Sequence, residues 1–188
     1  MADENPAAGR VMLRPVASSD EAEFLSLARA STEFLHPWIA LPVTPEAFQA
    51  FLRRTEQPNQ ESRFICLRGT GAIVGLVNIN SIVRGRFQSG SLGYNAFASG
   101  AGRGYMTEGL GLVLRFAFEE LRLHRLEANI QPGNQASLRL VQRLGFRYEG
   151  LSPEMLFIDG AWRDHERWAI TTTMTGTAVE PHPTLPAR

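Results

Sequence analysis

At 188 residues, 44% hydrophobic and 20% charged, the chain is sized and balanced for one folded domain with a core of its own. Its 19 Lys plus Arg against 19 Asp plus Glu exclude a general electrostatic pull toward nucleic acid or an anionic membrane. Cys66 is the single cysteine, which excludes an internal disulfide and agrees with a reducing cytoplasmic setting, and no apolar run reaches the roughly 20 residues of a membrane helix.

Residues 1–9, with Asp3, Glu4, Asn5 and Pro6, read as a flexible leader without the apolar segment of a secretory signal. Arg10 to Val16 predicts a short strand closed by Pro15. Ser18-Ser19-Asp20-Glu21 supplies the hydroxyls and acids of a helix start, and Phe24, Leu25, Leu27, Ala28, Phe34 and Leu35 give that helix one apolar face. His36-Pro37-Trp38-Ile39-Ala40-Leu41-Pro42 breaks it; Thr44 then caps and Pro45 opens a second helix to about Thr55, carrying Phe48, Phe51 and Leu52. Glu61 to Leu67 predicts a strand, Gly69-Thr70-Gly71 a hairpin turn, and Ala72 to Ile82 the strand that follows. Val83 to Gln88 reads as a basic, exposed turn.

Ser91 to Ala98 predicts the next strand, Ser99 to Gly104 a loop with three glycines, and the spacing of Leu110, Val113, Leu114, Ala117, Phe118 and Leu121 a helix from Tyr105 onward. Free N–H groups at such a helix start, with the positive end of its dipole, make a phosphate site. Further on, Leu126 to Ile130 predicts a strand, and Pro132-Gly133-Asn134 ends it and caps a helix from Gln135 to Leu144, stopped by Gly145. Phe146–Leu151 and Glu154–Ile158 predict two strands, Asp159-Gly160 a hairpin turn, and Trp162 to Thr173 the return strand. Gly176 to Arg188, with three prolines and no periodicity, reads as a disordered tail, which leaves one domain over residues 10–175.

Two well-known glycine loops fail here. A dinucleotide G-x-G-x-x-G needs glycine where Tyr105 or Thr107 stands, and a P-loop needs Lys and Ser/Thr where Tyr105 and Met106 follow Gly104. What remains, Gly102-Arg103-Gly104-Tyr105-Met106-Thr107-Glu108, resembles the pyrophosphate loop of the GNAT superfamily of N-acetyltransferases. It departs from that pattern at Ala101, where Gln or Arg is usual, and at Met106, where Gly or Ala is. A plain helix-start loop is the alternative reading.

The element order β-α-α-β-β-β-α-β-α-β-β is also that of the GNAT fold. Further motifs resemble the RimJ/RimL group within it, on the RimJ side: Phe34-Leu35-His36-Pro37-Trp38, Leu92-Gly93-Tyr94, His124-Arg125, Leu144-Gly145-Phe146 and Ile158-Asp159-Gly160-Ala161-Trp162-Arg163-Asp164-His165. Enzymes of that group acetylate the N-terminal amine of ribosomal proteins. The resemblance covers about residues 10 to 173. It implies an α+β (mixed α/β) fold, a central, twisted, mostly antiparallel sheet with helices on both faces. It also implies acetyl-CoA as the acetyl donor and direct attack on its thioester by the amine.

By the same resemblance, the pantetheine arm lies along Asn95, Ala96 and Phe97, where a bulge would splay their strand from Leu126–Ile130 and free backbone groups. The pyrophosphate rests on the N–H groups of Gly102, Arg103, Gly104, Tyr105, Met106 and Thr107, and Arg103 adds a charged contact or is an ordinary solvated loop arginine. Much of the superfamily quenches the thiolate with a tyrosine, but its position, counted back from Leu144-Gly145-Phe146, is Val141 here. The RimJ/RimL group places a serine earlier in that helix. Ser137 matches it as proton donor, with Asn134 binding the pantetheine arm; otherwise the two are a helix cap and a first-turn residue.

No base declares itself, and Glu108 reads more naturally as a dipole partner in a first helical turn. His36 and Trp38, in a loop that walls the acceptor site in this fold, and Asn78 and Asn80, alternating on one strand face, are the substrate-binding candidates. Each has a structural alternative, as a core plug, a loop histidine or a strand-face amide. His124 and His165 lack partners at ligand spacing, so no metal is expected. The acceptor reads as a protein or peptide N-terminus, or else a small amine, with no nucleic acid or membrane partner and a monomer or homodimer as the assembly. A catalytically silent acyl-CoA-binding protein stays open beside these.

Overall fold

The computed structural model describes residues 9–176; residues 1–8 and 177–188, which hold most of the expected leader and tail, lie outside them. The described strands are β1 (Val11–Pro15), β2 (Glu61–Leu67), β3 (Ile73–Val83), β4 (Ser89–Ala96), β5 (Arg125–Ile130), β6 (Arg147–Ile158) and β7 (Ala161–Thr171). They form one sheet in the order β1-β2-β3-β4-β5-β7-β6. The described helices are α1 (Glu21–Ala30), α2 (Thr32–Leu35), α3 (Pro45–Thr55), α4 (Tyr105–Arg115), α5 (Gln135–Arg143) and α6 (Thr172–Thr175), and none of them is long and apolar enough to cross a membrane.

Every neighbouring pair of strands is antiparallel except β4 and β5. A parallel pair cannot be closed by a hairpin, and α4 is the crossover between these two.

Alternation along β2 divides the core in two. Phe64 and Cys66 face Phe24, Leu25 and Ala28 of α1 and Phe48 and Phe51 of α3. Ile65, between them, faces Leu110, Val113 and Leu114 of α4, in a cluster that also takes Leu138 and Val141 of α5. Helices therefore cover both faces, as the resemblance implies. On the first face the Phe24 ring lies 5.1 Å from Phe48, 5.9 Å from Phe51, 6.0 Å from Phe64 and 6.0 Å from Phe97. Each such ring, fully buried, contributes about 1.5–3 kcal/mol of hydrophobic stabilisation.

The structure departs from the expected elements at several places. The first helix stops at Ala30, because the buried hydroxyl of Ser31 leaves helical geometry to accept the Ala98 N–H at 3.0 Å; Phe34 beyond it is half exposed and shares no apolar face with α1. Ser89 begins β4 two residues early, paired with both Val83 and Arg125. The adjoining Gln88 is buried rather than exposed, its carbonyl accepting from the N–H groups of His124 and Arg125. The two strands expected around Pro153 are one strand, β6, whose register with β7 slips between Ser152 and Leu156; on a sheet edge the N–H that proline lacks is not needed.

Candidate active site

β4 and β5 touch only at Ser89–Arg125, Gly90–Leu126 and Ser91–Glu127. Beyond Ser91, β4 stays with β3 up to Ala96–Gly75, while β5 follows β7 from Arg125–Thr171 to Ile130–Glu166. The inner edges diverge into a V, and the backbone groups of Leu92 to Ala96 that face β5 have no strand partner. The expected bulge at Asn95–Phe97 is absent, since the β3–β4 register is regular there and shifts only between Asn80 and Val83. Pairing with β7 along its whole length, rather than a bulge, draws β5 away.

At the open end Asn95 is buried, and its Oδ1 has no partner among the described residues. Ala96 closes β4. The Phe97 ring is fully buried in the phenylalanine cluster, its N–H donates to Val74 O at 3.0 Å and its carbonyl accepts from Gly100 at 2.9 Å, so its side chain belongs to the core.

The glycine loop follows. Gly102 (φ 73°) and Gly104 (φ 81°) take left-handed geometry, and α4 starts at Tyr105. The first amides to bond back are those of Thr107 and Glu108, both to Gly104 O, so the Tyr105 and Met106 N–H groups have no acceptor among the described residues. Arg103 is exposed. The methionine departure is absorbed by the sheet: the Met106 thioether lies 2.6 Å from where a Cβ on Gly75 would sit, so the side chain points to β3 and only its backbone faces the loop.

Two arginines that the sequence reading missed lie beside this loop. Arg143 of α5 donates to the Thr107 hydroxyl at 3.2 Å. Arg10 donates from its backbone to Glu108 Oε2 at 3.0 Å and from Nε to Oε1 at 2.6 Å, with its guanidinium carbon 5.0 Å from the Tyr105 ring centre. Arg10 holds the Glu108 carboxyl below the usual range, so Glu108 is an ion-pair anchor for β1 and not a poised base.

Across the V, Asn134 Oδ1 accepts the Ser137 N–H at 3.1 Å and caps α5, which leaves the amide nitrogen of Asn134 uncommitted. Ser137 Oγ lies 2.5 Å from the phenol oxygen of Tyr94, on the open stretch of β4. Burial pushes the Tyr94 pKa up to about 12, offset in part by that hydrogen bond. Val141, at the usual tyrosine position, is fully buried core. The alternation that puts Leu92 on the α4–α5 face puts Tyr94 there too, a signal present in the sequence.

The residues expected to wall the acceptor site come together at the same end. His36 Nε2 stands 3.4 Å from Asp159 Oδ2 in the β6–β7 turn, and the Trp38 ring edge lies 3.0 Å from the Cβ position of Gly133, next to Asn134. These contacts bring the α2–α3 connection against both the β6–β7 hairpin and the β5–α5 turn. Asn78 is tied sideways, accepting the Ser62 hydroxyl at 2.6 Å, whereas half-buried Asn80 lies 3.4 Å from the Cβ position of Gly93 on β4. His124 and His165 are engaged separately, with the Thr172 hydroxyl and the Arg163 carbonyl. Among the described residues no three His, Cys, Asp or Glu side chains gather into a metal site.

Parting parallel strands, two unpaired amides at a glycine-bounded helix start and a hydroxyl pair on the open strand make an arrangement suited to an extended, phosphate-bearing ligand. Residues 10–147 match the family model of the acetyltransferase (GNAT) domain, and the chain belongs to that family of N-acetyltransferases. It is 41% identical over 100 residues to the [ribosomal protein uS5]-alanine N-acetyltransferase of Escherichia coli, a match spanning 53% of this chain and 52% of that one. The solved structure of Mycobacterium smegmatis RimJ in complex with CoA-disulfide superposes with a TM-score of 0.78 at 32% identity, covering 87% of this chain and 82% of that one. A spermidine N-acetyltransferase from Vibrio cholerae, in complex with CoA and spermine, shares the fold with a TM-score of 0.76 at 18% identity, over 88% of this chain and 97% of that one.

Proposed function

We propose that the protein transfers the acetyl group of acetyl-CoA to the N-terminal α-amine of a protein in the cytoplasm, by direct attack of the amine on the thioester. The residues fit the carrier. The Tyr105 and Met106 amides, with the α4 dipole and the basic side chains of Arg103 and Arg143, suit a pyrophosphate, and the open edge of Leu92 to Ala96 suits an extended arm with amide groups. Asn134 holds that arm through its free amide nitrogen, and Ser137 quenches the thiolate.

The acceptor reading is carried by the wall itself. A polyamine needs clustered free acids at the mouth, but here Asp159 faces His36 and Asp164 accepts the Glu154 N–H at 2.8 Å. An extended peptide instead meets Trp38 and the strand-face amide of Asn80. The chemistry agrees. An α-amine of pKa near 8 is about one-tenth neutral at pH 7, against roughly one part in 10³ for a lysine, so it reacts without a strong base. The likeness to the uS5-alanine enzyme supports the same acceptor class.

The test is acetylation of a library of N-terminal peptides beside a panel of polyamines, amino acids and aminoglycosides, read by mass spectrometry with CoA binding by calorimetry. Preference for short N-terminal sequences over lysine side chains is the expected result. Transfer confined to the small amines would refute the peptide acceptor, and tight CoA binding without transfer to any amine would make the chain a silent acyl-CoA binder.

A further inference from the structure

The Tyr94–Ser137 pair is an assignment that the family resemblance does not supply. Tyr94 reaches Ser137 from another element: the two residues are 43 positions apart, and their oxygens are 2.5 Å apart. The Ser137 backbone is already pinned by Asn134 Oδ1 at 3.1 Å, so the freedom left at that residue is the side-chain rotamer and rotation of its hydroxyl. Two hydroxyls in contact share one proton along the line between their oxygens and leave the other proton to the acceptor of the pair. A phenol is a far stronger acid than an alkyl alcohol, which favours Tyr94 as the donor and Ser137 as the acceptor. Burial keeps Tyr94 protonated across the neutral range, so its proton stays available to donate. The proton of Ser137 then has no acceptor among the described residues and is free to turn into the V.

We propose that Tyr94 is a positioning residue for acetyl transfer: by donating to Ser137 Oγ it aims the Ser137 proton at the sulfur of the departing thiolate. This rests on the reading of Ser137 as the proton donor. In the step, the amine nitrogen bonds to the acetyl carbon, the carbon–sulfur bond breaks, and sulfur leaves with the electron pair and takes the Ser137 proton. The surplus proton on nitrogen goes to solvent, a solvent proton returns to Ser137, and Tyr94 ends the turnover as it began. Donation from Tyr94 also polarises the Ser137 O–H, which strengthens it as a donor.

The test is a double-mutant cycle on kcat with Tyr94→Phe, Ser137→Ala and the double variant, with the CoA Kd measured by calorimetry. The slow hydrolysis of acetyl-CoA is a second assay, because it releases the same thiolate whatever the acceptor amine. Tyr94→Phe is expected to lower both rates by about 5–30-fold with CoA affinity within about 2-fold, and to cost nothing further once Ser137 is alanine. If Tyr94→Phe leaves the rates unchanged while Ser137→Ala slows them, Tyr94 has no such role and the Ser137 reading stands. Additive losses overturn the proposal, because Tyr94 would then act without Ser137, and so does a loss of CoA affinity matching the loss of rate, the mark of a packing role. Unchanged rates in Ser137→Ala remove the reading of Ser137 itself, and the proposal with it.

Discussion

Gly109 and Gly111, two residues apart on α4, should respond to the same added methyl group with opposite signs. At Gly109 a Cβ would sit 2.3 Å from Ile65 Cδ1, 2.7 Å from Cγ1 and 2.8 Å from Cγ2. Carbon atoms are in optimal contact at about 3.5–4.0 Å, so α4 and β2 must part by about 1 Å. Ile65 is β-branched and fully buried, so no easy rotamer removes the clash. Overpacking of this kind costs about 1–3 kcal/mol, and three contacts on one stiff side chain place it near the upper end. The helix-propensity gain of Ala over Gly returns about 1 kcal/mol, leaving a net loss of about 2 kcal/mol for Gly109→Ala. Gly111 has nothing within 4 Å of its Cβ position, so Gly111→Ala keeps the propensity gain of about 0.5–1 kcal/mol. At about 2–4 °C per kcal/mol for a chain of this size, Tm should fall by about 4–8 °C in the first variant and rise by about 1–4 °C in the second. Thermal and urea unfolding followed by circular dichroism read both. Shifts of the same sign would refute the claim that α4 is seated on β2 through Gly109.

Glu108→Gln should leave kcat nearly unchanged, because that carboxylate is bound by Arg10; loss of a general base costs about 10²–10⁴-fold, and a drop of that size would restore Glu108 as the base. Arg125 donates through both terminal nitrogens to Glu149, and this holds the Glu149 pKa below its ordinary value. A depressed carboxyl contributes stability above its unfolded pKa and loses it as pH falls through the folded one. Glu149→Gln should therefore lower stability by about 1–2 kcal/mol at pH 7, and the gap to the parent should close below about pH 4 in urea titrations run across pH. A gap that does not narrow at all as pH falls from about 5 to about 2 would mean the loss is one of packing.

Local signals carried most of the fold. Thr44 caps α3 by accepting the Ala47 N–H at 3.3 Å, Pro45 opens it, and β2 spans Glu61–Leu67 as expected. The resemblance to the RimJ/RimL group singles out Ser137, with Asn134, one helical turn before it, as a helix cap or a pantetheine contact. What the sequence hid are contacts between distant segments. The end of α1 is set by Ala98, 67 residues away from Ser31. Glu108 is settled by Arg10 at a separation of 98 residues, and Ser137 gains Tyr94 across 43. The burial of Phe97 was hidden for a related reason. An apolar residue at a strand end suits either a ligand channel or a core, and only the position of Phe24 decides between them.

The narrow join between β4 and β5 also bears on the order in which the protein can assemble as it leaves the ribosome. Three residue pairs are all that bind β5, β7 and β6 to the rest of the sheet. The phenylalanine core lies wholly on the early side of that join, between Phe24 and Phe97, whereas the other core needs strands as late as Ile170. The first half of the chain can therefore close its apolar face while the second is still being made, and the active-site V comes into being last, when β7 captures β5 and pulls it aside. Pulse-labelled hydrogen exchange during refolding would show this as early protection in β2 and β3 and late protection in β5 and β7, and simultaneous protection of all four would show that the halves close together.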